Sequence, residues 1–153
     1  MTLYYLRLLS GTVLLFVLSF FLFFVGVYDI KYKKIPNRYI LYVGLAGIVS
    51  RSCMLCYNIK DILVGVTTIT VFLVILVLIF PGSLGGGDIK LMSVCALFLG
   101  MNVWKVFVVA VFTAFPVALA ISIFGKNKRF LPFGPYICVG VFVQNLLFLY
   151  GLT

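Results

Sequence analysis

The chain contains no histidine and only three acidic residues among 153. Without histidine, a serine or cysteine lacks its usual activating base, and a metal site lacks its commonest side-chain ligand. Charged residues make up 10% of the chain, and hydrophobic residues make up 65%. Such a composition excludes a water-soluble globular domain and is typical of an integral membrane protein, with the lipid bilayer as its surroundings.

The net charge of +9 does not indicate a nucleic-acid partner. Lysine and arginine occur in short clusters between apolar runs, whereas a nucleic-acid-binding domain concentrates them on one solvated face. Clusters between apolar runs are typical of loops that orient a membrane protein. We therefore expect no nucleic acid among the partners, and the sequence leaves the oligomeric state open.

Apolar runs recur along the whole chain. A helix needs about 20 apolar residues to cross the hydrocarbon of a bilayer. Four uncharged stretches reach or exceed that length: Leu8–Tyr28, Ile62–Gly87, Val106–Gly125 and Leu131–Thr153. Two shorter stretches could also cross the bilayer. Tyr39–Tyr57 crosses if Arg51 lies near its outer end and extends its charge to the membrane surface. Leu91–Trp104 crosses if the bilayer is locally thinned or if the helix is continuous with Asp88–Lys90. The sequence thus predicts an all-α membrane protein of about six transmembrane helices, forming a single domain over residues 1–153.

Basic residues in the connections predict the orientation of these helices. Eight lie in or beside the first, third and fifth connections: Lys31, Lys33, Lys34, Arg38, Lys90, Lys126, Lys128 and Arg129. Four lie on the opposite side: Arg7, Arg51, Lys60 and Lys105. Because cytoplasmic loops carry the excess of positive charge, we expect the odd connections in the cytoplasm and both termini outside.

Two of the three acids lie at the ends of apolar runs. Asp29 ends the first predicted helix and Asp88 opens the fourth, so the predicted topology places both at one depth on the cytoplasmic side. A carboxylate near a bilayer costs several kcal/mol, and neighbouring carboxylates share one proton. We interpret them as a catalytic pair in which one activates water while the other polarises a carbonyl. No dense ligand cluster for a metal is visible.

Three glycines precede the second aspartate, after a predicted break in the helix. Pro81 and Gly82 end the third helix, so Pro81–Gly87 is predicted to be a loop. Gly85, Gly86 and Gly87 would let an extended substrate approach the backbone without side-chain collision.

Three segments together resemble a known family. They are Asp29-Ile-Lys-Tyr-Lys-Lys-Ile-Pro-Asn37, Gly85-Gly-Gly-Asp88-Ile-Lys90-Leu91 and Pro132-Phe-Gly-Pro-Tyr136. In order and approximate spacing they resemble the signatures of type IV prepilin peptidases, which are GxGD aspartyl membrane proteases. The resemblance spans nearly the whole chain.

The resemblance implies an endopeptidase of the plasma membrane that removes basic leader peptides from prepilins or pilin-like proteins at the cytoplasmic membrane face. We expect no metal and no cofactor. It implies that Asp29 and Asp88 are catalytic. Eight further residues would bind substrate or shape the site: Gly85, Gly86, Gly87, Lys90, Pro132, Phe133, Gly134 and Pro135. Long members carry a cysteine-containing insertion and a methyltransferase activity, but here only eight residues, Ile30–Asn37, precede the second helix. Peptidase activity alone is therefore expected.

Other interpretations of the same residues stay open at this point. The aspartates could cap helices, or relay protons or bind a cation in a small transporter, and a silent scaffold protein is a third possibility. Lys90 could anchor the helix at the membrane surface, and Pro132–Pro135 could be a rigid helix entry. Asp61 is expected to cap the third helix, and Cys53 and Cys56 are expected to be core or interfacial thiols, although a disulfide between them is possible.

Overall fold

In a computed structural model, the described residues of the chain form six α-helices. The structure describes residues 2–32, 35–53, 58–81, 84–124 and 132–150, and the regular structure within these ranges is helical throughout. The helices are α1 (Thr2–Tyr32), α2 (Asn37–Cys53), α3 (Ile59–Ile79), α4 (Gly86–Leu99), α5 (Val103–Phe124) and α6 (Gly134–Leu149). A single 3₁₀ turn, Gly100–Asn102, joins α4 to α5. The all-helical fold is therefore confirmed.

Helix α4 lies at the centre of the bundle. It packs against α2 on one side and α3 on the other, and it also contacts α5 and α6. Its residues Leu91, Met92 and Cys95 are fully buried. Helix α1 packs against α2 and α6, and α5 packs against α6, so the other helices partly surround α4. Because α4 begins at Gly86, this arrangement carries Asp88 to one end of the core.

The outer surface of the bundle is apolar. Large side chains such as Phe20, Phe23, Leu78 and Phe112 are more than half exposed. A soluble protein rarely exposes so continuous an apolar surface, because water penalises it. The apolar helices thus indicate a membrane protein.

Three stretches of the described residues are long and apolar enough to cross a bilayer: Leu15–Tyr32, Ile59–Ile79 and Gly86–Ile123. Gly134–Phe148 is a shorter apolar helix. The predicted count of six spans and the outward location of both termini remain predictions.

The connection after Asp29 is shorter than predicted. Helix α1 continues to Tyr32 and α2 begins at Asn37, so residues 33–36 separate them instead of the eight expected. The prediction was wrong because Asp29 does not end its helix: the stacked rings of Tyr28 and Tyr32, 4.4 Å apart, extend α1 by a further turn.

The predicted loop over Pro81–Gly87 is also too long. Gly86 and Gly87 already belong to the first turn of α4, so describing them as loop residues was wrong. Asp88 is the third residue of this helix, and its carboxylate accepts a hydrogen bond from the backbone N–H of Gly85, just before the helix. Such capping starts a helix in spite of its glycines.

Several predicted features fall outside the described part of the chain. These are Lys33, Lys34, Gly82, Cys56 and residues 126–129. Cys53 ends α2.

Candidate active site

Asp29 is held by the beginning of the last helix. Its side chain is 5% exposed, and its Oδ2 atom accepts a hydrogen bond of 3.2 Å from the backbone N–H of Gly134. Gly134 is the first residue of α6, and the first N–H groups of a helix have no acceptor within that helix. The carboxylate supplies this acceptor, and the positive end of the helix favours its negative charge.

The position of Gly134 leaves no room for a side chain. A Cβ atom there would lie 2.7 Å from Asp29 Oδ2 and 3.3 Å from Asp29 Cγ. Glycine therefore lets the α6 backbone approach the carboxylate directly. Pro135 follows within the first turn of α6, where its missing N–H costs little.

Asp88 lies in the first turn of α4 and is 8% exposed. Its Oδ2 atom accepts a hydrogen bond of 3.3 Å from the Gly85 N–H. Its Oδ1 atom is buried and has no hydrogen-bond partner among the residues that the structure describes. This oxygen is chemically available for a proton or for a reacting group.

The two aspartates are 59 positions apart in sequence, and both are buried, Asp29 in the last turn of α1 and Asp88 in the first turn of α4. Ile35, which follows α1, packs against Gly87, which precedes Asp88, so both carboxyl groups lie toward the same end of the bundle. Repulsion between buried carboxylates favours a state in which the pair holds one proton. Such a pair contains both a base and an acid, and therefore has what general acid–base hydrolysis requires.

Of the other residues predicted to bind substrate or shape the site, some contact the aspartates and others contact different parts of the structure. Gly85 and Gly134 bond to the aspartates. A Cβ atom on Gly87 would meet Ile35 at 3.3 Å, so this glycine packs against the connection between α1 and α2. A Cβ atom on Gly86 would meet nothing within 4 Å, so its position there requires no glycine. Lys90 is exposed, and its Nζ donates to Asn37 Oδ1 at 3.3 Å.

Pro132 and Phe133 precede α6 and are half-buried. Phe133 packs against the core, and its backbone carbonyl accepts hydrogen bonds from the N–H groups of Tyr136 and Ile137. This segment therefore both opens the helix and sets the position of Gly134.

Sequence reasoning missed two residues behind this arrangement, Cys138 and Gly26. The Cys138 thiol bonds to the carbonyl oxygens of Gly134 at 3.1 Å and Leu22 at 2.8 Å, which links α6 to α1. A Cβ atom on Gly26 would lie 3.1 Å from both Cys138 Sγ and Pro135 Cα. A glycine inside an apolar helix is a known sign of close helix packing, so the sequence at Gly26 could have indicated this contact. Nothing in the sequence around Cys138 indicated its hydrogen bonds.

Asp61 lies at the far end of α4 from the candidate site. It belongs to the first turn of α3, where its charge is favourable, but the N-cap position is occupied by Asn58, so the prediction that Asp61 is the cap was wrong. Its Oδ1 atom also accepts a hydrogen bond of 3.3 Å from the Met101 N–H. This tertiary contact was not predicted.

The described residues contain no group of three or more histidine, cysteine, aspartate or glutamate side chains that could hold a metal ion.

The fold and the site together define an all-helical membrane protein with a buried aspartate pair at one end of its core. The model of the type IV leader peptidase family matches residues 16–125. Since the match covers most of the chain, this protein belongs to the type IV leader peptidase family, and its general activity is that of a protease. The resemblance seen in the sequence is thus confirmed. Neither the curated proteins nor the solved structures give a match.

The family match covers Asp29, Gly85–Gly87 and Asp88 and ends before α6. The assignment of Gly134 to the site rests instead on its hydrogen bond to Asp29.

Proposed function

We propose that this protein is a membrane aspartyl endopeptidase that cleaves basic leader peptides from type IV prepilins or pilin-like proteins at the cytoplasmic membrane face. The observation that carries the proposal is the burial of two carboxyl groups from different helices, Asp29 and Asp88, each of which accepts a hydrogen bond from a backbone N–H group. Membership of the leader peptidase family supports the same assignment.

The mechanism uses one proton shared by the pair. The ionised aspartate takes a proton from a water molecule, whose oxygen attacks the scissile carbonyl carbon. The protonated aspartate donates a hydrogen bond to the carbonyl oxygen as negative charge develops there. The proton taken from water then passes to the leaving amine, which regenerates the pair. The backbone bonds from Gly85 and Gly134 hold the two carboxyl groups in place during these steps.

A groove beside Asp29 supports a substrate with an apolar segment next to the cleaved bond. The groove has a volume of about 370 Å³ and lies between α1 and α6. Its lining is Ser19, Phe23, Gly26, Val27 and Ile30 of α1 and Pro135, Cys138, Val139 and Phe142 of α6. Along α1 the lining covers about 16 Å and ends next to Asp29. We assign this groove to the apolar helix that follows the leader.

The transporter hypothesis is not favoured. The family is one of peptidases, and both aspartates lie near helix ends rather than in mid-helix, where transport carboxylates are usually found.

Incubation of the purified protein in lipid with a prepilin tests the proposal. We expect release of the leader at the junction with the apolar segment, seen as a shortened product by mass spectrometry. An intact prepilin after incubation with a folded, membrane-inserted protein would contradict the assignment.

A further inference from the structure

A different groove, of about 540 Å³, lies between α2 and α4. Along α2 its lining runs from Asn37 to Ile48, which corresponds to about 16 Å of helix. Most of its walls are aliphatic: Ile40, Leu41, Leu45, Ile48, Ile89, Val94 and Leu97. The groove therefore has the length and the surface chemistry to accept part of an acyl chain.

Its polar side chains within the body of the groove are already paired. The hydroxyl groups of Thr70 and Ser93 lie 2.7 Å apart, and Ser93 donates to the Ile89 carbonyl at 2.8 Å. Gly44 also lines the groove, and a Cβ atom there would lie 3.2 Å from Val94 Cγ1. The glycine thus lets α2 and α4 pack closely. Because the two hydroxyl groups are already hydrogen-bonded, the ligand needs no polar group at this point of the groove.

One end of the groove is positively charged. Lys90 and Asn37 line that end, and the Lys90 ammonium is exposed apart from its bond to Asn37. Asn37 is the first residue of α2, so the positive end of the helix dipole lies there as well. Arg38 follows and is exposed.

None of the three acidic side chains neutralises this end. Asp29 and Asp88 are buried in the candidate active site. Asp61 bonds to Met101, beyond the opposite end of α4 from Lys90. Lys90 is therefore available to an anionic group of another molecule.

We propose that the groove between α2 and α4 is a binding site for an anionic phospholipid, with its phosphate group on Lys90 and an acyl chain along the walls over Gly44. A cation at one end and an apolar channel behind it match an anionic amphiphile. A substrate peptide with a basic leader would be repelled by Lys90, which argues against the substrate as the ligand of this groove. This one step rests on the proposed function. The lipid would bridge α2 and the helix that carries Asp88.

Quenching of tryptophan fluorescence by brominated lipids tests this site. Trp104 is the single tryptophan, so the reporters are introduced in a Trp104→Phe background. Leu45→Trp places the reporter in the groove at a residue that is 55% exposed. Phe112→Trp places a control on α5, at a residue that is 74% exposed and outside the groove. Each protein is titrated with dibrominated phosphatidylglycerol or dibrominated phosphatidylcholine in bilayers.

At Leu45→Trp we expect the anionic lipid to bind about fivefold more tightly than the zwitterionic lipid, the gain from one lysine near a lipid surface. Lys90→Gln should remove this preference. Lys31→Gln should keep it, because Lys31 has the same charge and is also exposed, close to Asp29 near the end of α1, but does not line the groove. The Phe112→Trp reporter should show no preference, and its quenching shows that each variant is inserted.

Three results would overturn the proposal. Equal affinity for both lipids at Leu45→Trp would show an unselective surface. A preference that survives Lys90→Gln would place the headgroup elsewhere. Absence of quenching at Leu45→Trp, with normal quenching at Phe112→Trp, would show that a second copy or another protein covers the groove.

Discussion

Gly134 lies so close to Asp29 that a methyl group on Gly134 would come within 2.7 Å of the Asp29 Oδ2 atom. The two residues are 105 positions apart, and their hydrogen bond joins the start of α6 to the last turns of α1. This contact predicts that alanine at Gly134 and alanine at Gly86, two glycines at the starts of helices, affect cleavage very differently.

Gly134→Ala should reduce prepilin cleavage by about a hundredfold, because displacing a catalytic group by about 1 Å costs that much. Gly86→Ala should leave cleavage unchanged, since a Cβ atom at Gly86 meets nothing within 4 Å. In a helix, alanine at this position should also stabilise the protein by about 0.5–1 kcal/mol. Initial rates in reconstituted membranes, together with thermal unfolding of both variants, check the prediction. Equal losses of activity would show that the site does not depend on the bond between Gly134 and Asp29.

Asp29→Asn and Asp88→Asn should each lower cleavage by at least about a hundredfold while leaving the protein inserted, because an amide cannot cycle a proton. The matched control is Asp61→Asn, in which the amide oxygen can still accept the Met101 N–H bond. This third variant should cleave at nearly the parent rate. Processing of a co-expressed prepilin, followed by the mobility of its product, measures all three. Cleavage near the parent rate by either of the first two variants would remove the aspartyl mechanism.

Local sequence patterns were enough to predict the helices, because long apolar runs favour helices in any membrane setting. Alternation of helix direction predicts that Asp29 and Asp88 lie on one side of the membrane, and this sidedness stays a prediction. The extra turn of α1 and the early start of α4 were missed, because each depends on side-chain contacts such as Tyr28 with Tyr32.

The contacts between distant helices could not be predicted. The bonds from Gly134 to Asp29 and from Cys138 to the Leu22 carbonyl depend on how α1 and α6 pack. A single apolar sequence is compatible with many such packings, since lipid and neighbouring helices are equally apolar. The motif around Pro132 was singled out through its resemblance to the family, while the hydrogen bond from the Gly134 N–H to Asp29 came from the structure.

The excess of basic residues in the odd connections predicts the sidedness of the site. In a background without the four native cysteines, a cysteine introduced at Asn58 should react with an impermeant maleimide added from outside. A cysteine at Asn127 should react only after the membrane is permeabilised. Asn58 is exposed at the start of α3, whereas Asn127 is placed by sequence alone. The reverse labelling pattern would move both aspartates to the outer face, away from cytoplasmic leaders.

The short connection after α1 predicts a peptidase without methyltransferase activity. A site for a methyl donor needs a pocket of roughly 300–1,000 Å³ with several polar groups, and residues 33–36 are too few to build one. The purified protein should therefore release the leader without an added methyl donor or metal, also in the presence of a chelator. The mature product should keep an unmodified N-terminus, which mass spectrometry determines directly. A product heavier by one methyl group, formed only with this protein and a methyl donor, would reveal a second site. Cleavage that stops on adding chelator would show that Asp29 and Asp88 bind a metal ion instead of sharing a proton.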